Sequence, residues 1–362
     1  MSAERGARSA ERRDWTLVRQ IRHLLIIRND RLGDLVLTLP AIAAARRALP
    51  DAKITLLASP LAAPLVAAHP DIDEVLFDDP ADGAVALARR LRALRADAGL
   101  AINYSRRNCL ALWLAGIPRR VGWGYKLAGC LAANRRVWLH RSRPPIHEAD
   151  FALAFVRALG LSVPAERPAA VLPIAETAWR EMLARIDREL GQHGPLVGVH
   201  PGGRGSAYYW PTENFAQLVA RLAQRSRVIV TGTPAERTQL ETIAAAVAPP
   251  VARRVALWDD LTLPQLAATL AACQTVVAGS TGPLHVAAAV GTRVVGLYSS
   301  HPAHVPAKWA PLGAGHVVLQ APLAPGEDPR IPPERGGEHM ARIGVDHVLA
   351  AVEHILQQAQ AA

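Results

Sequence analysis

Three junctions in this chain place chemically capable residues where an apolar run gives way to a helical one. Asn29-Asp30-Arg31-Leu32-Gly33-Asp34 carries a carboxylate at the opening of a helix. His200-Pro201-Gly202-Gly203-Arg204-Gly205 is glycine-rich and basic, and Ser280-Thr281-Gly282-Pro283-Leu284-His285 is small and hydroxylated. A strand-to-helix turn of small residues presents free backbone N–H groups at the positive end of a helix dipole, which favours anions and phosphates above all. Two candidate anion sites and one candidate base suggest a phosphate-bearing donor and an activated nucleophile.

Each feature also has a plainer reading. Asp34 could cap its helix. As a base it would accept a proton from an incoming hydroxyl, and the helix N-terminus would work against its basicity unless the site were desolvated. The turn around Gly202, Gly203 and Arg204 resembles a phosphate nest but has neither GxGxxG spacing nor a GKS/T ending. Glu236, in Thr231-Gly232-Thr233-Pro234-Ala235-Glu236, could accept a sugar or ribose hydroxyl or complement a helix dipole. His285 could donate to a phosphate oxygen or pack against a sheet. His301 and His304 lack metal-ligand spacing, and no metal or other cofactor is expected.

Composition narrows the class. The chain has 362 residues, enough for two domains, and half of them are apolar. No run approaches the ~20 apolar residues of a membrane span, and the charged N-terminus has no signal-peptide core. Cys109, Cys130 and Cys273 are isolated and fit a reducing compartment, so a cytoplasmic location is expected. Net charge is +10, from 41 Lys and Arg against 31 Asp and Glu, with the densest basic segments in the first half. Aromatics are only 5% and are not interleaved with the basic residues, which argues against nucleic acid and leaves phosphorylated molecules or anionic lipid as partners.

Strand-like runs at Leu24–Arg28, Lys53–Ala58, Glu74–Phe77 and Leu100–Tyr104 alternate with helical segments such as Asp34–Ala48 and Gly83–Leu94. Pro40 falls inside the first of these helices and is expected to kink or restart it. A second series has strands at Leu196–Val199, Arg227–Thr231, Thr275–Ala278 and Arg293–Leu297. Such alternation predicts an α/β protein of two doubly wound parallel-sheet domains facing a cleft, with ligands beyond the strand C-termini. The expected divisions are a basic extension over 1–22, a first domain over 23–173, a second over 174–343 and a closing helix over 344–362.

In order, IIRNDRLGDLVLTLPAIAAARRALPDAKI, RRVGW, HEADFALAFVRALG, VGVHPGG with YYWPTENFAQLVARL, VTGTPAE, STGPLHVAAAVGT and MARIGVDHV resemble glycosyltransferase family 9, the ADP-heptose:lipopolysaccharide heptosyltransferases. The resemblance runs from about Leu24 to Val348. It implies a GT-B fold of two Rossmann-like domains, with acceptor in the N-terminal half and nucleotide sugar in the C-terminal half. It also implies metal-independent, inverting sugar transfer, with ADP-heptose as donor and an anionic glycolipid as acceptor. Asp34 matches the family's catalytic base, and Glu236 the acidic residue near the donor nucleotide. Thr281, Gly282 and His285 match the donor-phosphate loop.

Two positions depart from the family pattern. Tyr208 stands where Lys is usual, two residues before Trp210-Pro211, and Ser280 stands where Asp usually precedes Thr-Gly. They keep two alternatives open: a GT-B enzyme using another nucleotide sugar, and a catalytically silent glycan-binding homologue. The basic first half is compatible with peripheral contact at the inner face of the cytoplasmic membrane.

Overall fold

Leu24 to Arg28 are five consecutive buried residues, so the strand they form must be covered on both faces. In the computed structural model this strand, β1 (His23–Arg28), lies at the middle of a six-stranded sheet. The structure describes residues 21–125, 131–139, 146–203, 207–331 and 335–361. The basic extension expected over 1–22 therefore falls almost wholly outside the described residues. The described chain divides into two compact units. One holds residues 21–139 with Glu148–Ala169, and the other holds residues 146–147 and everything from Ala170 onward.

In the first unit β1 pairs with β2 (Lys53–Ala58) on one side and β4 (Ala98–Ala101) on the other. The order β3-β2-β1-β4-β5-β6 is completed by β3 (Glu74–Phe77), β5 (Arg119–Trp123) and β6 (Arg135–Val137). Every pairing is parallel. Short helices follow the strands: α1 (Leu32–Val36), α2 (Leu39–Ala48), α3 (Ala63–Val66), α4 (Ala84–Ala93), α5 (Arg106–Leu114) and α6 (Glu148–Ala158). Leu25, Ile27 and Leu57 of the sheet close on Leu87 and Leu91 of α4 and Leu112 of α5 to form one core.

The single helix expected over Asp34–Ala48 is two. Pro40 has no N–H to continue the ladder and sits in the first turn of α2, where none is needed. Gly160, with φ 95°, closes the turn after α6, a left-handed conformation that glycine adopts without strain.

The second unit repeats the plan. After α7 (Glu176–Leu190), strands β7 (Leu196–His200), β8 (Arg227–Thr231), β9 (Val255–Trp258), β10 (Thr275–Gly279), β11 (Arg293–Tyr298) and β12 (Val317–Gln320) form a sheet of order β12-β11-β10-β7-β8-β9. All of its pairings are parallel. Its helices are α8 (Thr212–Leu222), α9 (Arg237–Ala245), α10 (Leu263–Ala272), α11 (Gly282–Ala289), α12 (Pro306–Trp309), α13 (Gly336–Ala341) and α14 (Val345–Ala361). Val352 and Ile355 of α14 join Val199, Phe215, Leu240 and Val295 in one core, so the last helix packs on this sheet.

Read from its first strand outward, each sheet has the same order, with the chain reversing direction across β1/β4 and across β7/β10. A doubly wound sheet opens a crevice beyond the strand ends at that reversal. Among the described residues, no helix is long and apolar enough to cross a membrane.

Candidate active site

At the β1/β4 crevice, β1 ends on Arg28, a guanidinium only 2% exposed. Such a charge needs partners. It has three carboxylates: Nη2 donates to Asp34 and, over 3.0 Å, to Oε1 of Glu148, while Nε lies 3.0 Å from Oδ1 of Asp30. Burial alone would ease loss of the guanidinium's proton, but the charges of Asp30, Asp34 and Glu148 outweigh it and hold the group more firmly protonated than usual.

Asp34 is 8% exposed and stands within the first turn of α1. The N-cap position belongs to Arg31, which makes no side-chain cap, so Asp34 is not the capping residue its position suggested. Its backbone carbonyl accepts from Thr38 Oγ1 at 2.8 Å.

Beside this cluster runs a polar network that sequence reading missed. Asn29 Oδ1 accepts from Asn103 Nδ2 at 2.6 Å and Asn108 Nδ2 at 2.8 Å, while Asn29 Nδ2 donates to Asp78 at 2.7 Å. Arg107 grips Asp78 through both terminal nitrogens at 3.0 and 2.8 Å. The network ties together the loops after β1, β3 and β4, and so fixes the floor on which Asp30 and Asp34 stand.

In the second unit the loop after β7 is close-packed against its neighbours. A Cβ on Gly202 would overlap the Glu236 carboxylate, and one on Gly203 would press within 2.8 Å of both Thr281 and Tyr209. Gly203 N–H donates to Glu236 at 3.2 Å. The other Glu236 oxygen accepts from the backbone and hydroxyl of Thr233 at 2.9 and 2.8 Å, closing a capping box on the turn Pro234–Glu236. Gly202, Gly203, Glu236 and Thr281 are thus brought together. A cavity of about 530 Å³ opens here, lined by Gly202, Gly203, Tyr209, Thr212, Glu236 and Gln239 among others. That volume suits a nucleotide-sized ligand. Arg204 lies outside the described residues.

Thr281 is the buried N-cap of α11 without a side-chain cap, Gly282 is the helix's first residue and Pro283 the second. Ser280, Thr281, Gly282 and His285 are not among the residues lining the cavity. His285 is buried with Nδ1 unpartnered among the described residues. Burial, aided by nearby His147, pushes its pKa down to about 3, and burial pushes His200 down to about 4 against the opposing charge of Glu236. Both imidazoles are therefore neutral at physiological pH. Tyr208 donates through its hydroxyl to the Ile331 carbonyl, and its ring lies 5.6 and 5.5 Å from those of His301 and His304. No group of three or more His, Cys, Asp or Glu is gathered as a metal would require, among the described residues.

Known proteins share both sequence and architecture with this chain. Lipopolysaccharide heptosyltransferase 2 of Salmonella typhimurium is 26% identical over 286 residues, covering 76% of this chain and 82% of that protein. Among solved structures, a glycosyl transferase family 9 protein from Veillonella parvula superposes with a TM-score of 0.80 at 19% identity, covering 93% of this chain and 98% of its own. ADP-heptose LPS heptosyltransferase II of E. coli gives 0.76 at 23% identity, with 93% and 99% covered. These likenesses establish the two-sheet α/β architecture as that of the GT-B fold. The sequence pattern of Glycosyltransferase family 9 (heptosyltransferase) matches residues 84–329, more than half of the chain, including the β7, β8 and β10 loops that build the second site. The chain belongs to glycosyltransferase family 9 and is a glycosyltransferase.

Proposed function

We propose that this enzyme transfers a heptose from ADP-heptose to a lipopolysaccharide-core or related cell-envelope acceptor, with inversion and without a metal ion. The first unit would take the acceptor and the second the nucleotide sugar. The observation that carries the reading is Asp34, an all but buried carboxylate in the first turn of a helix at the sheet's reversal point. The heptosyltransferase relatives support the sugar and acceptor class.

In this mechanism Asp34 accepts the acceptor hydroxyl's proton as that oxygen bonds to the anomeric carbon. The bond from that carbon to the diphosphate breaks on the opposite face, and ADP leaves with the electron pair. The nucleotide occupies the cavity beside Gly202, Gly203 and Glu236. The N–H of Gly282, the first residue of α11, and the helix dipole behind it oppose the charge growing on the diphosphate. Neutral His285 can serve as a hydrogen-bond donor to a phosphate oxygen but contributes no charge.

General-base catalysis is worth about 10²–10⁴ in rate. With ADP-heptose and a truncated lipopolysaccharide acceptor, Asp34→Ala should lose turnover by that factor while keeping its fold by circular dichroism. Turnover within a few-fold of wild type would remove Asp34 from the mechanism.

Tyr208 favours a second reading, the same chemistry on another nucleotide sugar. Its ring is anchored to Ile331 and set among His301 and His304, so it presents no ammonium to the donor. The nucleotide that binds the second unit distinguishes the two.

A further inference from the structure

We propose that Glu148 is a positioning residue for Asp34, acting through the Arg28 guanidinium nitrogen that both carboxylates share. The inference rests on the reading of Asp34 as the base. Nη2 of Arg28 has two hydrogens, and one is directed to each carboxylate. Glu148, whose side chain is 5% exposed, comes from the first turn of α6, 120 residues after Arg28. It holds the guanidinium from a second element, and the guanidinium in turn holds Oδ1 of Asp34.

The arrangement also sets basicity. A buried arginine and a helix N-terminus each favour ionised Asp34 and weaken it as a base. Glu148 opposes both. Two oxygens bonded to one nitrogen lie within roughly 6 Å of each other, so the second carboxylate raises the cost of the first one's charge. Charged groups beside Asp34 include Arg28 from β1, Asp30 from the following turn and Glu148 from α6. Arg28 therefore serves three anions, and Asp34 has only a share of it.

The test is the pH profile of kcat for Glu148→Gln, which keeps the shape and the acceptor oxygen but deletes the charge. The acid limb should move to lower pH by about one unit, with KM for donor and acceptor changed less than about two-fold. A limb within about 0.2 unit of wild type would overturn the proposal, since a residue serving only the fold would leave it in place. Should Glu148→Gln not fold, Glu148→Asp reads the geometric half. It keeps the charge but withdraws it by a methylene, and kcat should fall about ten-fold or more with KM held; an unchanged kcat overturns the proposal. Asp34→Ala run alongside separates the two failures. An active Asp34→Ala defeats the base reading, whereas an inactive one beside an unshifted Glu148→Gln defeats the positioning role alone.

Discussion

Arg28 shows what one side chain can hold together. Removing it leaves Asp30, Asp34 and Glu148 crowded together without the guanidinium they share, and breaking a buried pair from one side costs about 3–5 kcal/mol. Arg28→Met should therefore unfold at markedly lower denaturant concentration at neutral pH. Without the cation, the carboxylates' folded-state pKa values rise above their unfolded values near about 4. The folded state then binds more protons than the unfolded one, so the deficit should be small near pH 4 and grow as pH rises through the folded pKa values. Denaturant melts at pH 4.5 and 8 measure it, and equal deficits would contradict the account. Asp34 was legible in the sequence because Gly33-Asp34 follows an apolar strand. Arg28 reads there as the polar end of that strand and Glu148 as an acidic residue opening an amphipathic helix. Their meeting at 3.0 Å is a tertiary fact that no local pattern encodes.

Individual elements were legible where burial gave them continuous apolar runs. Lys53–Ala58 and Arg227–Thr231 emerge with the expected bounds. The strands missed, β5, β6, β9 and β12, are short and lie at or next to sheet margins, where one or more residues of each are incompletely buried. Half-exposed segments of three to five residues carry too little hydrophobic pattern to be told from loops. The glycines of the β7 loop were visible, but not their reason. Gly202 is dictated by the neighbouring Glu236 carboxylate as well as by any ligand. Gly202→Ala should displace that carboxylate, break its bond from Gly203 N–H and weaken nucleotide binding about ten-fold by calorimetry, with an overpacking cost of about 1–3 kcal/mol. Unchanged affinity would mean that the nucleotide lies elsewhere.

At the scale of the whole molecule, two sheets share one strand order, and the alternation of strands and helices along the sequence announces this plan. The α/β class follows from it, as does the expectation of ligands beyond the strand ends, whereas the partner of each candidate residue does not. Hydrogen exchange locates the nucleotide directly. ADP should slow exchange in the β7 and β8 loops and at the start of α11 while leaving β1 and β2 unchanged. Protection by UDP or GDP with none by ADP would favour the other-donor reading, and protection confined to β1 and α1 would refute the assignment of units. The order in which the chain leaves the ribosome adds a constraint of another kind. Arg28, Asp30 and Asp34 emerge early and must wait for about 115 further residues, six to twenty-odd seconds at ordinary synthesis rates, before Glu148 can join them. Over that interval the nascent crevice has its cation and two of its anions but nothing to lock them, so a chain cut short before α6 would be built around the right residues and still be unable to aim them.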